Sequence, residues 1–141
     1  MTINFLLIMD EDIKYVIDSS FILAHLLPDE NVSKVDEIFM KYTQGKVHFL
    51  APYILPFEVI NALRSAVISK RIDKKSANTL INDFLNVKID FQKINFKNAL
   101  AISFKNNCSI YDASYIALSQ DEKLHFLSLD RKLKRTPTGK N

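Results

Sequence analysis

The chain has 141 residues, 48% of them hydrophobic, with only 2 Gly and 4 Pro, which suits one domain over 1–141 with a sizeable core and argues against disorder. Net charge is +3, but the last eleven residues, RKLKRTPTGKN, hold five of the 19 basic side chains and no acid, leaving 14 basic against 16 acidic elsewhere. The lone Cys108 excludes an internal disulfide, and the five-residue apolar run FLLIM is far short of the roughly 20 residues that span a bilayer, so a soluble cytoplasmic protein without a signal peptide is expected.

Residues 1–13, MTINFLLIMDEDI, form an extension ahead of the first β pattern. Residues 14–17 read as a buried strand, followed by a short helix over 20–27 that Pro28 closes. A second helix, 32–43, places Val35, Ile38, Phe39 and Tyr42 at core spacing and ends before Gly45. KVHFLA, 46–51, is the second strand. A long helix then begins between Tyr53 and Pro56 and reaches about Ser69, with Val59, Ile60, Leu63, Ala66 and Val67 as its buried stripe and Pro56 in its first turn. Helices over 74–85 and 96–105 flank a strand at 87–91. A helix at 110–119 and a strand at 124–129 complete the pattern, and 134–141 is a basic tail. Strands separated by helices predict an α/β fold, a central parallel sheet flanked by helices on both faces, because parallel neighbours require crossovers. No repeat or linker divides the chain.

In such sheets ligands gather at the carboxyl edge of the strands, and four acids fall there. Asp18 follows the first strand and Asp130 the last. Asp112 opens the helix YDASYIALS. Glu58 lies early in the long helix, three residues before Asn61 and seven before Ser65, on one stripe. Each has a structural alternative: Asp18 and Asp130 can cap helices, Ser109 with Asp112 matches a capping box, and Glu58, alone among the apolar residues of ILPFEVINAL, can face water. Together, four carboxylates at one edge repel one another unless a cation neutralises them. All-oxygen ligands suit Mg²⁺ or Mn²⁺ better than zinc; His25, His48 and His125 lack ligand spacing. No phosphate-binding glycine loop, dinucleotide fingerprint or hydrolase elbow is present. The basic residues Arg131, Lys132, Lys134 and Arg135 can contact RNA phosphates or form a solvated terminus.

In order and spacing, VIDSSFIL, APYILPFEVINAL, SIYDASYIALS and FLSLDRKL resemble the PIN-domain ribonucleases, most closely the VapC-type toxins of prokaryotic toxin–antitoxin pairs, over about residues 15–133. The resemblance implies a PIN-like fold, metal-dependent endoribonuclease activity, homodimerisation and inhibition by a cognate antitoxin. It maps a catalytic and metal-binding quartet onto Asp18, Glu58, Asp112 and Asp130, with Ser19 or Ser20, Asn61 and Ser128 in supporting roles. Asp18 and Asp112 are expected as direct ligands, Glu58 and Asp130 as direct or water-mediated ones. Such domains commonly start almost at the first strand and continue into a further strand after the last Asp. Here about thirteen residues precede the first strand, and the ending KRTPTGKN predicts either that the further strand is absent or that the protein is shortened. The alternative is a catalytically silent PIN-fold binding module for a partner protein or RNA. A receiver-like signalling domain using Asp18 as phosphoacceptor leaves the Glu58 stripe without a role.

Overall fold

Four parallel strands and six α-helices make up residues 12–130, the part of the chain that the computed structural model describes. The N-terminal extension with FLLIM and the basic residues Arg131, Lys132, Lys134 and Arg135 lie outside it. Strand β1, Ile13–Ile17, becomes progressively buried along its length and ends against Asp18. Asp18 is in extended conformation and caps helix α1, Ser19–Leu26, by accepting the N–H of Phe21 at 3.1 Å. Pro28, which has no N–H to continue the helix, opens a 3₁₀ turn, Pro28–Glu30. Helix α2, Ser33–Thr43, follows. Gly45 takes φ +77°, a left-handed conformation cheap only for glycine, and returns the chain to β2, Val47–Pro52.

Helix α3, Leu55–Ile68, carries Pro56 in its first turn and buries Leu55, Val59, Leu63 and Ala66. Ile60, expected in that stripe, is 41% exposed. It lies about 100° around the helix from Val59, and the other elements cover only the Leu55 side. Helix α4, Lys74–Leu85, is capped by Asp73, and β3, Ile89–Gln92, starts two residues later than its periodicity suggests. Helices α5, Phe96–Asn106, and α6, Ile110–Glu122, end on Asn107 and Lys123 in left-handed conformation. Strand β4 spans only His125–Leu127, shorter than 124–129, because Ser128 to Asp130 leave the ladder to bond side chains of the site.

The strand order is β3-β2-β1-β4. Helices α1 to α4 pack among themselves, α5 pairs with α6, and α6 lies across β1, β2 and β4. Residues Ala113 to Ser119 of α6 are all buried, as fits a helix covered by both sheet and α5. The hydroxyls of Ser114 and Ser119 are satisfied by the carbonyls of Tyr111 and Ile116. Between α1, α2 and β2 sits an aromatic cluster: Phe49 meets Phe21, Phe39 and Tyr42 at centroid distances of 5.7, 5.2 and 5.0 Å.

Candidate active site

The strand order reverses direction at one point, between β1 and β4, where successive crossovers depart to opposite sides and leave a crevice. The register pairs Ile17 with Leu127, so Asp18 and Ser128 leave the two strands side by side. Asp18 is 4% exposed, and its two oxygens are separately held. Ser20 Oγ donates to Oδ1 at 2.6 Å, and Ser128 Oγ donates to Oδ2. Both hydroxyls also accept from the segment after β4, Ser20 from Leu129 N–H at 2.8 Å and Ser128 from Asp130 N–H at 3.0 Å. Two serines therefore fix the buried carboxylate and the backbone that carries Asp130 in one network. Of the expected supporting residues, Ser20 and Ser128 are in it. No hydrogen bond joins Ser19 or Asn61 to the acids among the described residues, and Asn61 faces outward one turn beyond Glu58.

Glu58 is half-buried in the first turn of α3, where its Oε1 accepts the hydroxyl of Tyr115. Asp112 stands in the first turn of α6, its N–H capped by Ser109 Oγ at 3.0 Å. Burial pushes the Asp18 carboxyl above its ordinary value, against the lowering effect of its hydrogen bonds, and the charge of Asp130 adds to the rise. Burial likewise raises Glu58, with Asp112 and Asp18 adding repulsion and Tyr115 opposing. Each acid thus feels another across the crevice, although they are up to 112 positions apart in sequence. Among the described residues no three His, Cys, Asp or Glu side chains already stand at ligand distance around one point; the approach is electrostatic, with Asp18 and Glu58 each tethered by hydroxyls. The donor set fits an oxygen-preferring divalent cation such as Mg²⁺ or Mn²⁺, which would offset the repulsion that adds to the burial-driven rise of Asp18 and Glu58.

The chain matches the PIN domain family over residues 15–139. It belongs to that family. Ribonuclease VapC3 of Pyrobaculum aerophilum is 25% identical over 120 residues, covering 85% of this chain and 92% of the relative. The crystal structure of PAE2754 from the same organism superposes with a TM-score of 0.69 at 21% identity, over 91% of this chain and 89% of that one. VapC20 of Mycobacterium tuberculosis, described as a sarcin-ricin loop cleaving toxin, gives 0.60 at 11% identity, over 85% and 92%. The parallel sheet flanked by helices is the PIN-like fold these structures share.

Two features of this PIN domain escape sequence reasoning. Tyr115 reads as one more apolar residue of α6, although its place three residues after Asp112 puts both on one helix face. The second is an apolar cavity of about 490 Å³ lined by Tyr53, Ile54, Ile94, Phe96, Ile110 and Tyr111 among others. It forms where the ends of β2 and β3 meet the first turns of α5 and α6, a junction no single stretch reveals. His25 stacks on Phe39 at 3.7 Å, and His48 lies 2.8 Å from Asp12.

Proposed function

We propose that this PIN domain is an endoribonuclease of the VapC toxin type that hydrolyses RNA phosphodiesters with Mg²⁺ or Mn²⁺ held by Asp18, Glu58, Asp112 and Asp130. The observation that carries the reading is the burial of Asp18 at the sheet's switch point within electrostatic reach of other acids. An unneutralised cluster of this kind is costly to maintain, and a cation-binding role accounts for it. The likeness to Ribonuclease VapC3 supports RNA as substrate.

A divalent ion, if bound there, would supply Lewis acidity towards a water molecule and the phosphoryl oxygens. Asp18 and Asp112 act as the principal ligands. The serine network holds both Asp18 oxygens in place, so little reorganisation is needed on binding. Glu58 would bind the ion directly or through water and position the nucleophile. Asp130, exposed at the rim, completes the cluster through its tethered backbone. Arg131, Lys132, Lys134 and Arg135 follow Asp130 directly in sequence and would contact RNA phosphates beside the acids.

The same reading includes a second copy of the chain and an antitoxin. Phe96, Leu100 and Phe104 recur at four-residue spacing along one face of α5 and are exposed, Phe104 to 78%. An apolar stripe of this kind marks an interface, and homodimerisation would cover it. The antitoxin is expected to lay an apolar helix against the early helices and to present an arginine to the acids, a charge-assisted contact that blocks the pocket. Among the described residues no helix is long and apolar enough to cross a membrane.

The test is cleavage of a labelled RNA with Mg²⁺, with Mn²⁺ and with EDTA, by the wild type and by Asp112→Asn. Metal-dependent cleavage lost in the variant is expected. Wild-type protein that binds neither metal nor cleaves RNA would leave a PIN-fold binding module instead.

A further inference from the structure

We infer that Tyr115 is a positioning residue of the acid site, its hydroxyl fixing the Glu58 carboxylate through Oε1 so that α3 presents Oε2 to a divalent cation in one orientation. The inference rests on the nuclease reading above and extends it to a residue outside the acidic quartet.

A glutamate has three rotatable bonds between backbone and carboxylate, so one on the first turn of a helix samples many placements unless something holds its end. Among the described residues Tyr115 is the side chain that hydrogen-bonds Glu58. Its own position leaves little freedom. The residue is 1% exposed, its ring stacks on Phe126 of β4 at 5.7 Å and 11°, and its neighbours on α6, Ser114 and Ile116, are buried. From this fixed ring the hydroxyl donates to Glu58 Oε1. It also ties three elements together: Glu58 on α3, Asp112 one turn earlier on Tyr115's own helix, and β4, whose end leads to Ser128 and Asp130. Partners that orient a metal-ligating side chain typically alter metal affinity about 10- to 100-fold when removed.

The experiment titrates metal-free protein with Mn²⁺ by calorimetry and measures RNA cleavage for wild type, Tyr115→Phe, Glu58→Gln and the double variant. Tyr115→Phe keeps the ring stacked on Phe126 and deletes one oxygen. The expected result is Mn²⁺ affinity about tenfold weaker, and kcat reduced with the KM for RNA unchanged. Tyr115→Phe should add no further loss in the Glu58→Gln background, since it acts through that carboxylate. Glu58→Asp, which withdraws the acid from the phenol while keeping its charge, should weaken Mn²⁺ binding to a similar degree and serves as the test if Tyr115→Phe does not fold. Mn²⁺ affinity of Tyr115→Phe or Glu58→Asp within about twofold of wild type, or an equal further loss in the Glu58→Gln background, overturns the inference. Wild-type protein that neither binds Mn²⁺ nor cleaves RNA overturns the nuclease reading itself, and the inference falls with it.

Discussion

Replacing Ser128 with alanine deletes one oxygen at the seam between β1 and β4 and is expected to lower stability by about 2 kcal/mol at about pH 8. The hydroxyl donates to Asp18 Oδ2 and accepts from the Asp130 N–H. Hydrogen bonds to charged groups contribute about 1.5–3 kcal/mol each. At 4% exposure Asp18 cannot fully replace the lost donor with water, whereas exposed Asp130 can, so most of the loss arises at the carboxylate. Its pH dependence follows from the folded-state pKa of Asp18, which burial and Asp130 raise while Ser128 and Ser20 oppose. An acid raised above its unfolded value contributes stability that is complete below the unfolded pKa and is lost as pH climbs through the folded one. Ser128→Ala removes a lowering influence, moves the folded pKa further up and deepens that loss. The gap between wild type and variant is therefore widest above the folded pKa and narrows towards the ordinary carboxyl range, where Asp18 is neutral in both. Urea unfolding of metal-free protein at about pH 8 and about pH 4, with m-values compared, reads the gap directly. A difference below about 0.5 kcal/mol at the higher pH, or a larger one at the lower pH, would refute the reasoning.

Asp18→Asn is expected to abolish metal-dependent RNA cleavage while raising the thermal midpoint of metal-free protein at neutral pH, because asparagine still caps α1 and no longer buries a charge; calorimetry and a cleavage assay on one preparation check both halves. Phe49→Ala empties the centre of the aromatic cluster formed with Phe21, Phe39 and Tyr42 and should cost about 3–5 kcal/mol in chemical denaturation. Leu100→Glu, in the exposed stripe of α5, should convert a dimer to a monomer by light scattering with unchanged circular dichroism. An unchanged mass at dimer size would place the interface elsewhere.

Most of the elements were legible along the chain because their signals are local. Pro28 stops α1, Gly45 turns the chain into β2, Pro56 sits in the first turn of α3, and Ser109 caps α6. Strand ends were less legible. In β4 the ladder stops at Leu127 although the apolar pattern continues to Leu129, because Ser128 trades ladder pairing for a bond to a carboxylate that lies 110 positions away. Ile60 shows the same limit, since periodicity identifies a helix and a side but not how wide a neighbour covers it. Capping and site roles, which compete on paper for Asp18, coincide in space. The carboxylate caps α1 and faces the crevice, so the local pattern is the same whichever role is named.

The sequence by itself determined that strands and helices alternate, that the sheet is parallel and that four acids stand where elements begin or end. These follow from periodicity and turn chemistry within a few residues. Only the tertiary structure decided that strand order reverses between β1 and β4, that Ser20 rather than Ser19 reaches Asp18, and that a tyrosine on α6 holds Glu58 on α3. Those facts depend on which distant segments share a crevice, and on the cost of burying a carboxylate without donors, terms that no local stretch of chain contains.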